Sequence, residues 1–300
     1  MHDRWGNKAI MQLHLRQHHT MIARSAQKNW FRAIVKRFTP YLSRSLIGSR
    51  IFPLIPLLEI YLAMLQGKGA GSGWDLHAET KVAAMFIHRP DAVVFDVGAN
   101  KGEWSLGLLK ALGGEHVQFF LFEPAVSCQQ YLQALNLPKV TYINAALGAK
   151  VEHTILYSPM PSSPLASMYQ RNDSFVREMH FTQERITVTT IDQIVREHDI
   201  ALIDYLKLDI EGNEIAALQG AQATLKAGCI KALAFEFGSG NVNSRTYFRD
   251  FWELLVPLGY EIKRIGPGGR LIPIDQYSEV LEYFRGATNY VAILRESQPT

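Results

Sequence analysis

The stretch Val93-Val94-Phe95-Asp96-Val97-Gly98-Ala99-Asn100-Lys101-Gly102 decides the fold. Val93–Val97 is a short apolar run and predicts a buried strand, and Gly102–Leu112 suits a helix. Glycines at the turn between them let a ligand approach the backbone closely. In doubly wound α/β folds the ligand sits beyond the carboxyl ends of the strands. Asp96 therefore stands where a carboxylate can meet a cationic or hydroxylated ligand. Gly98 and Gly102 are four residues apart, which is not the three-glycine dinucleotide fingerprint. Nor is the turn a Walker loop.

Working outward, the pattern alternates strands and helices. Val117–Phe122 reads as a second strand, Ala125–Leu135 as a helix and Val140–Ala146 as a third strand. Ile155–Tyr157 and Ile186–Thr189 read as shorter strands around a polar loop, followed by a helix over Ile191–His198. Tyr205–Ile210 is a strand, Glu214–Ala227 a helix and Ile230–Phe237 a strand. A helix near Tyr247–Leu258 leads to strand Tyr260–Ile265, and Tyr290–Leu294 closes the domain. Repeated βα units imply a mostly parallel sheet with right-handed crossovers.

Strand ends carry the polar residues. The second ends in Phe122-Glu123-Pro124, where Glu123 lies 21 residues after Gly102. A carboxylate there can accept hydrogen bonds from both ribose hydroxyls of a nucleoside. The third ends in Asn144-Ala145-Ala146-Leu147-Gly148, and Asn144 can bond an adenine edge or cap a turn. The fourth major strand carries Leu206-Lys207-Leu208-Asp209-Ile210-Glu211-Gly212-Asn213-Glu214. Asp209 and Glu211 start on one face, while Glu211 and Glu214 can instead cap the next helix. Glu236 repeats the theme one strand later.

Composition divides the chain. Residues 1–50 hold ten Lys/Arg and one acid, and the remaining 250 hold 21 bases and 27 acids. Residues 1–66 read as a basic helical extension, with Trp30, Phe31, Ile34, Val35 and Phe38 on one apolar face and Pro40 ending that helix. Such a surface can contact a membrane peripherally, meet an acidic partner, or pack on the main domain. Gly67–Gly73 reads as a flexible linker, so residues 67–80 lead into a main domain over 81–300. His14, His18 and His19 lack further ligands for a metal and read as solvated. No run of about 20 apolar residues predicts a spanning helix, and no signal peptide is evident. The two cysteines, Cys128 and Cys229, read as buried thiols in a reducing, cytoplasmic protein.

Taken together, FDVGANKG, FEP, NAALG, TTIDQI, LKLDIEGNE and FEF, in that order, resemble the FkbM family of S-adenosylmethionine-dependent methyltransferases from about Val93 to Leu294. The resemblance implies a Rossmann-like class I methyltransferase fold, with a seven-stranded, mostly parallel sheet and a final antiparallel strand. It implies that Asp96, Gly98, Ala99, Asn100 and Gly102 shape the methionine side of a pocket for S-adenosyl-L-methionine. Glu123, with Pro124 beside it, then holds the ribose, Asn144 and Ala145 lie near the adenine, and Asp209 faces both cofactor and acceptor. The acceptor implied is a hydroxyl on a small molecule, glycan or lipid-linked group. Asp209, Glu211 and Glu236 are the candidate catalytic carboxylates, with Asp209 the principal polar group and Glu211 or Glu236 the base. The polar loop Ser158–Arg177 is expected to bring Ser163, Ser167, Tyr169 and Arg171 to the acceptor. No metal is expected, because a hard cation wants more oxygens than these. The competing readings are a nucleic-acid methyltransferase tethered by the basic extension, a non-catalytic cofactor-binding module and a nicotinamide dehydrogenase. The acidic main domain and the absence of an Asn-Pro-Pro-Tyr-type motif oppose the first, the intact acids and glycines the second, and the missing third glycine the last.

Overall fold

In the computed structural model the described residues are 30, 32–69, 75–114 and 117–295. His14, His18, His19 and Phe31 lie outside them. The chain divides into two units, residues 1–59 and 60–300.

The larger unit is built on an eight-stranded sheet. Its strands are β1 (Ala92–Val97), β2 (Val117–Phe122), β3 (Lys139–Ile143), β7 (Ile203–Leu208), β8 (Ile230–Phe237), β9 (Tyr260–Gly266), β10 (Arg270–Pro273) and β11 (Thr288–Leu294). They lie in the order β10-β9-β11-β8-β7-β1-β2-β3. Strand β11 runs antiparallel to both β8 and β9, as a final antiparallel strand should. The resemblance implied seven strands in this sheet. The eighth, β10, is a short edge strand folded back antiparallel on β9 through a glycine-rich turn at Pro267–Gly269. All six residues of β1 and of β7 are buried, as expected for central strands covered on both faces.

Alternation along the strands makes two cores. Val93, Phe95 and Val97 face a core with Phe120, Phe122, Phe235 and Phe251. Ala92 and Val94 face another with Trp104, Phe119, Leu121 and Tyr205. In the first core Phe235 stacks on Phe251 with centroids 4.1 Å apart, a contact worth about 0.5–1.5 kcal/mol beyond burial alone.

Register then positions the site. Val97 pairs with Phe122 on one side and Leu208 on the other, and Leu208 pairs with Phe235. The carboxyl ends of β1, β2 and β7 are therefore level, and β8 runs two residues further. The order reverses between β1 and β7, the topological switch point where ligands of open α/β sheets bind.

Local differences from the sequence reading have physical causes. The expected third strand, Val140–Ala146, ends at Ile143, and Ala146–Leu147 forms a separate strand β4. It pairs with β6 (Thr182–Thr189), which also pairs with β5 (Glu152–Ser158), making a second, three-stranded sheet. The expected helix Glu214–Ala227 is two helices, Glu214–Gln219 and Gln222–Lys226. It breaks at Gly220, where a Cβ would lie 2.1 Å from the Gly148 carbonyl oxygen. In the smaller unit a helix, α1, covers residues 32–46 and runs through Pro40 instead of ending there. An internal proline forfeits one backbone bond, and the turns on either side carry the helix past it.

Helix α2 spans Leu54–Leu65 and α3 spans Leu76–Ala84. The start of the expected linker is packed, not solvated. Lys68 is buried and its Nζ donates to the Tyr283 carbonyl at 2.6 Å, Gly69 N donates to Thr288 Oγ1 at 3.1 Å, and Arg264 donates to the Gln66 carbonyl at 3.0 Å. The expected break at residue 67 thus falls inside the larger unit. Among the described residues no helix is long and apolar enough to cross a membrane.

Candidate active site

The turn after β1 is shaped by its neighbours. Gly98 and Ala99 donate backbone N–H bonds to the Phe122 carbonyl at 3.0 and 3.1 Å, and Asp209 N donates to the Val97 carbonyl at 3.1 Å. Gly98 has φ +79°, and a Cβ there would sit 1.9 Å from the Asp209 carbonyl oxygen. Only glycine satisfies both conditions. Asn100 also has positive φ, at 48°, and Gly102 caps helix α4, Glu103–Ala111.

Glu123 is buried, and both its oxygens are engaged. Oε2 accepts from Asn100 N and Oε1 from Ala125 N, each at 2.9 Å. An ionised carboxylate offers about four acceptor positions, so two remain for a ligand's hydroxyls. Burial pushes its pKa up, with the two backbone bonds opposing.

Asp96 is placed differently from its expected role. It is fully buried, accepting from Ser105 Oγ at 2.7 Å and from Lys207 Nζ at 3.2 Å. It supports the turn from beneath and is not among the residues walling the cavities. Asn144 is exposed and also stands outside the walls, whereas Pro124, Ala145, Ala146 and Leu147 are in them.

Two adjoining cavities open at the strand ends. The narrower is walled by Gly98, Asn100, Glu123, Ala145, Leu147, Asp209 and Glu211. The wider, about 650 Å³, shares Gly98, Asn100, Asp209 and Glu211 and adds Glu79, Trp104, Arg171, Lys207 and Glu236. Carboxylate oxygens of Asp209, Glu211 and Glu236 lie within 4.8 Å of one another. One oxygen from each could reach a common cation.

These acids differ in their surroundings. Asp209 is partly exposed, 3.3 Å from Lys207 Nζ. Glu211, with φ 53°, pairs with Arg171 Nη1. Burial raises its pKa, and the pairing with Arg171 opposes the rise. Glu236 sits near the end of β8, and its carboxylate has no hydrogen-bond or ion-pair partner among the described residues. Burial raises its pKa well above the usual range, and Asp209 and Glu211 add to the rise. Glu214 caps the loop instead, accepting from Ile210 N and Gly212 N at 3.1 Å; burial pushes its pKa up to about 7.

Sequence reading missed two members. Glu79, on α3, accepts from Asn289 Nδ2 at 2.6 Å, and burial pushes its pKa up to about 8. Lys207 is buried between Asp96 and Asp209, 5.7 Å over the Trp104 ring. Burial works against its charge, and Asp96, Asp209 and Glu79 together outweigh it, holding the ammonium above its ordinary range. The lysine stood within the quoted LKLDIEGNE, and its inward alternation with Leu206 and Leu208 was the available signal.

The loop between β5 and β6 is latched to this site. Ser167 Oγ donates to the Glu211 carbonyl at 2.8 Å and Tyr169 OH to Asn213 Oδ1 at 3.3 Å. The Arg171 side chain, 1% exposed, pairs with Asp173 and Glu211 and donates to Ser239 Oγ at 2.8 Å. Ser163 and Ser167 wall the narrower cavity, and Arg171 and Phe175 wall the wider one. The polar groups of Ser167, Tyr169 and Arg171 are thus committed to holding the loop down. His153 and His180 are exposed and wall neither cavity.

A family model described as a methyltransferase FkbM domain matches residues 96–262. Comparison with curated proteins finds no match. Among solved structures, the chain is similar to a methyltransferase FkbM from Methylobacillus flagellatus KT, with 17% identity over 80% of this chain and a TM-score of 0.42. This chain covers 60% of that protein's length. It is also similar to a precorrin-6y C5,15-methyltransferase from Geobacter metallireducens GS-15, with 10% identity, 75% and 90% of the two chains covered and a TM-score of 0.37. A third similar structure is the plantazolicin methyltransferase BpumL in complex with SAH, with 11% identity, 82% and 100% covered and a TM-score of 0.35.

Proposed function

The chain belongs to the FkbM methyltransferase family, and from that premise we propose that it transfers the methyl group of S-adenosylmethionine to a hydroxyl oxygen of a small-molecule, glycan or lipid-linked acceptor. The observation that carries the oxygen assignment is the meeting of Asp209 and Glu211, which wall both cavities, with Glu236, which walls the wider one. An alcohol must lose a proton as it is methylated, and Glu236 is a carboxylate there without a hydrogen-bond or ion-pair partner among the described residues. The cofactor, when bound, supplies an electrophilic methyl on a positively charged sulfur.

The residues present fit that cofactor. Gly98 lets the turn close against the Asp209 backbone at the cavity wall, Glu123 keeps free acceptor positions for ribose hydroxyls, and Ala145 and Leu147 offer an apolar wall for a base. Asp209 and Glu211 receive positive charge well. A cation beside these acids favours their ionised forms, which readies Glu236 to accept a proton through Oε1 or Oε2. Holding acceptor and methyl donor in line can supply up to about 7–11 kcal/mol, and a positioned base contributes about 10²–10⁴-fold.

Glu236→Gln is expected to lower kcat by about 10²–10⁴-fold while S-adenosylmethionine affinity, read by calorimetry, stays near wild type. Undiminished kcat with a saturating hydroxyl acceptor removes Glu236 as the base. Product masses showing methyl on nitrogen or carbon remove the oxygen assignment.

A further inference from the structure

We propose that the segment from Trp30 to Leu65 docks the protein on an anionic lipid bilayer, with helix α2 lying in the interfacial plane. In α2, LIPLLEIYLAML, only Ala63 is buried. Leu54, Leu57, Leu58, Tyr61, Leu62 and Leu65 are each 48–61% exposed. A helix apolar on nearly every side belongs in a protein interior or in lipid, and this one is in no interior. At 12 residues and about 1.5 Å per residue it is too short to cross a hydrocarbon core of about 30 Å. Lying at the headgroup boundary is the membrane geometry left to it.

Charge identifies the surface. Residues 32–65 contain five bases, Arg32, Lys36, Arg37, Arg44 and Arg50, against the single acid Glu59. All five bases are exposed. On α1 they alternate with exposed Val35, Phe38, Tyr41 and Leu42, and exposed Trp30 lies just before it. Aromatic and basic residues together are what a headgroup layer retains. An uncharged partner groove would leave the five cations unmatched.

The test is flotation of the full-length protein with vesicles of phosphatidylcholine containing phosphatidylglycerol, and of phosphatidylcholine alone, at low and high salt. The protein is expected to float with the anionic vesicles and to be released by salt. Partitioning should fall at least about ten-fold for R32Q/K36Q/R37Q, since each base near an anionic surface is worth roughly five-fold. It should also fall about ten-fold or more for L57Q/L58Q/L62Q, which removes apolar area available to the acyl boundary. Thermal midpoints of both triple variants should stay near wild type, because the altered side chains are exposed. Failure of the wild-type chain to float overturns the proposal. So does equal flotation of the leucine variant. A lipid-free oligomer that the leucine variant converts to a monomer also overturns it, because a second copy of the chain would then be the occupant.

Discussion

Lys207→Met tests whether one buried lysine organises the site. Its ammonium bonds Asp96 at 3.2 Å and stands 3.3 Å from Asp209. Asp96 is fully buried, and without Lys207 it keeps, among the described residues, the Ser105 hydroxyl at 2.7 Å. Removing one partner of a buried ion pair costs about 3–5 kcal/mol, because the other charge is left uncompensated. Methionine retains the aliphatic length against Trp104, so the loss reports charge and not volume. At about 2–4 °C per kcal/mol for a domain of this size, Tm should fall by roughly 10 °C. Asp96→Asn alone should also destabilise, leaving the cation unmatched, whereas the double variant should recover at least half of the single variant's loss. Differential scanning calorimetry of wild type, both single variants and the double variant closes the cycle. A Lys207→Met protein within about 1 kcal/mol of wild type, or a double variant showing simple additivity, refutes the coupling.

Three further outcomes follow from the same geometry. Gly98→Ala forces a Cβ toward the Asp209 carbonyl at 1.9 Å and a left-handed backbone, which by itself costs about 1–2 kcal/mol; calorimetric titration should show S-adenosylmethionine affinity reduced at least about ten-fold, and wild-type affinity would show that the turn relaxes freely. Arg171→Ala removes the latch on Glu211, Asp173 and Ser239, so limited proteolysis should cut the 159–181 loop several-fold faster; an unchanged rate would mean Ser167 and Tyr169 suffice. Ligand-free stability should fall as pH rises from about 4.5 to about 8, because Glu79 and Glu214 are pushed up to about 8 and 7 in the folded state. A raised folded pKa means that the native form binds more protons than the unfolded chain across that window. Thermal melts at stepped pH check this, and Glu79→Gln should flatten the slope.

Much of this arrangement was legible in the sequence because strand ends carry their chemistry locally. Gly98, Glu123 and Asp209 each follow an apolar run, and the parallel register brings such ends level. Asp96 was legible as important but not in its role. It pairs across the sheet with Lys207, so the two side chains fall on the same face, inside the core of Trp104 and Tyr205. The pairing partner is set by strand order, which no local pattern states. Glu79 was illegible as a site residue for another reason. It is on a helix before the first strand and has no motif. Its approach to Asp209 is made by packing between segments far apart in the chain. Arg171 was expected at the acceptor, but its pairing with Asp173, Glu211 and Ser239 was not legible. The packed start of the Gly67–Gly73 segment escaped for the same reason, since its partners Thr288 and Tyr283 lie more than 200 residues on.

The two ends of strand β7 place acids in opposite surroundings. Asp204, near its amino end, is fully buried like a liability, yet it accepts from Arg89, from Lys231 and from Val93 N at 2.9 Å. Burial works against its charge there, and those three partners outweigh it, so its pKa is lowered. Five residues later the same strand delivers Asp209 among Glu211, Glu236 and Glu79. Those three have their pKa values raised by burial, because Lys207 and Arg171 do not balance the cluster. A cationic ligand would supply the charge that the second set lacks: it would favour the ionised carboxylates, and its affinity should therefore rise with pH through the window in which the ligand-free protein loses stability. Parallel titrations of binding and melting decide this, and affinity that is flat or falls with pH would mean the acids are held for some other partner.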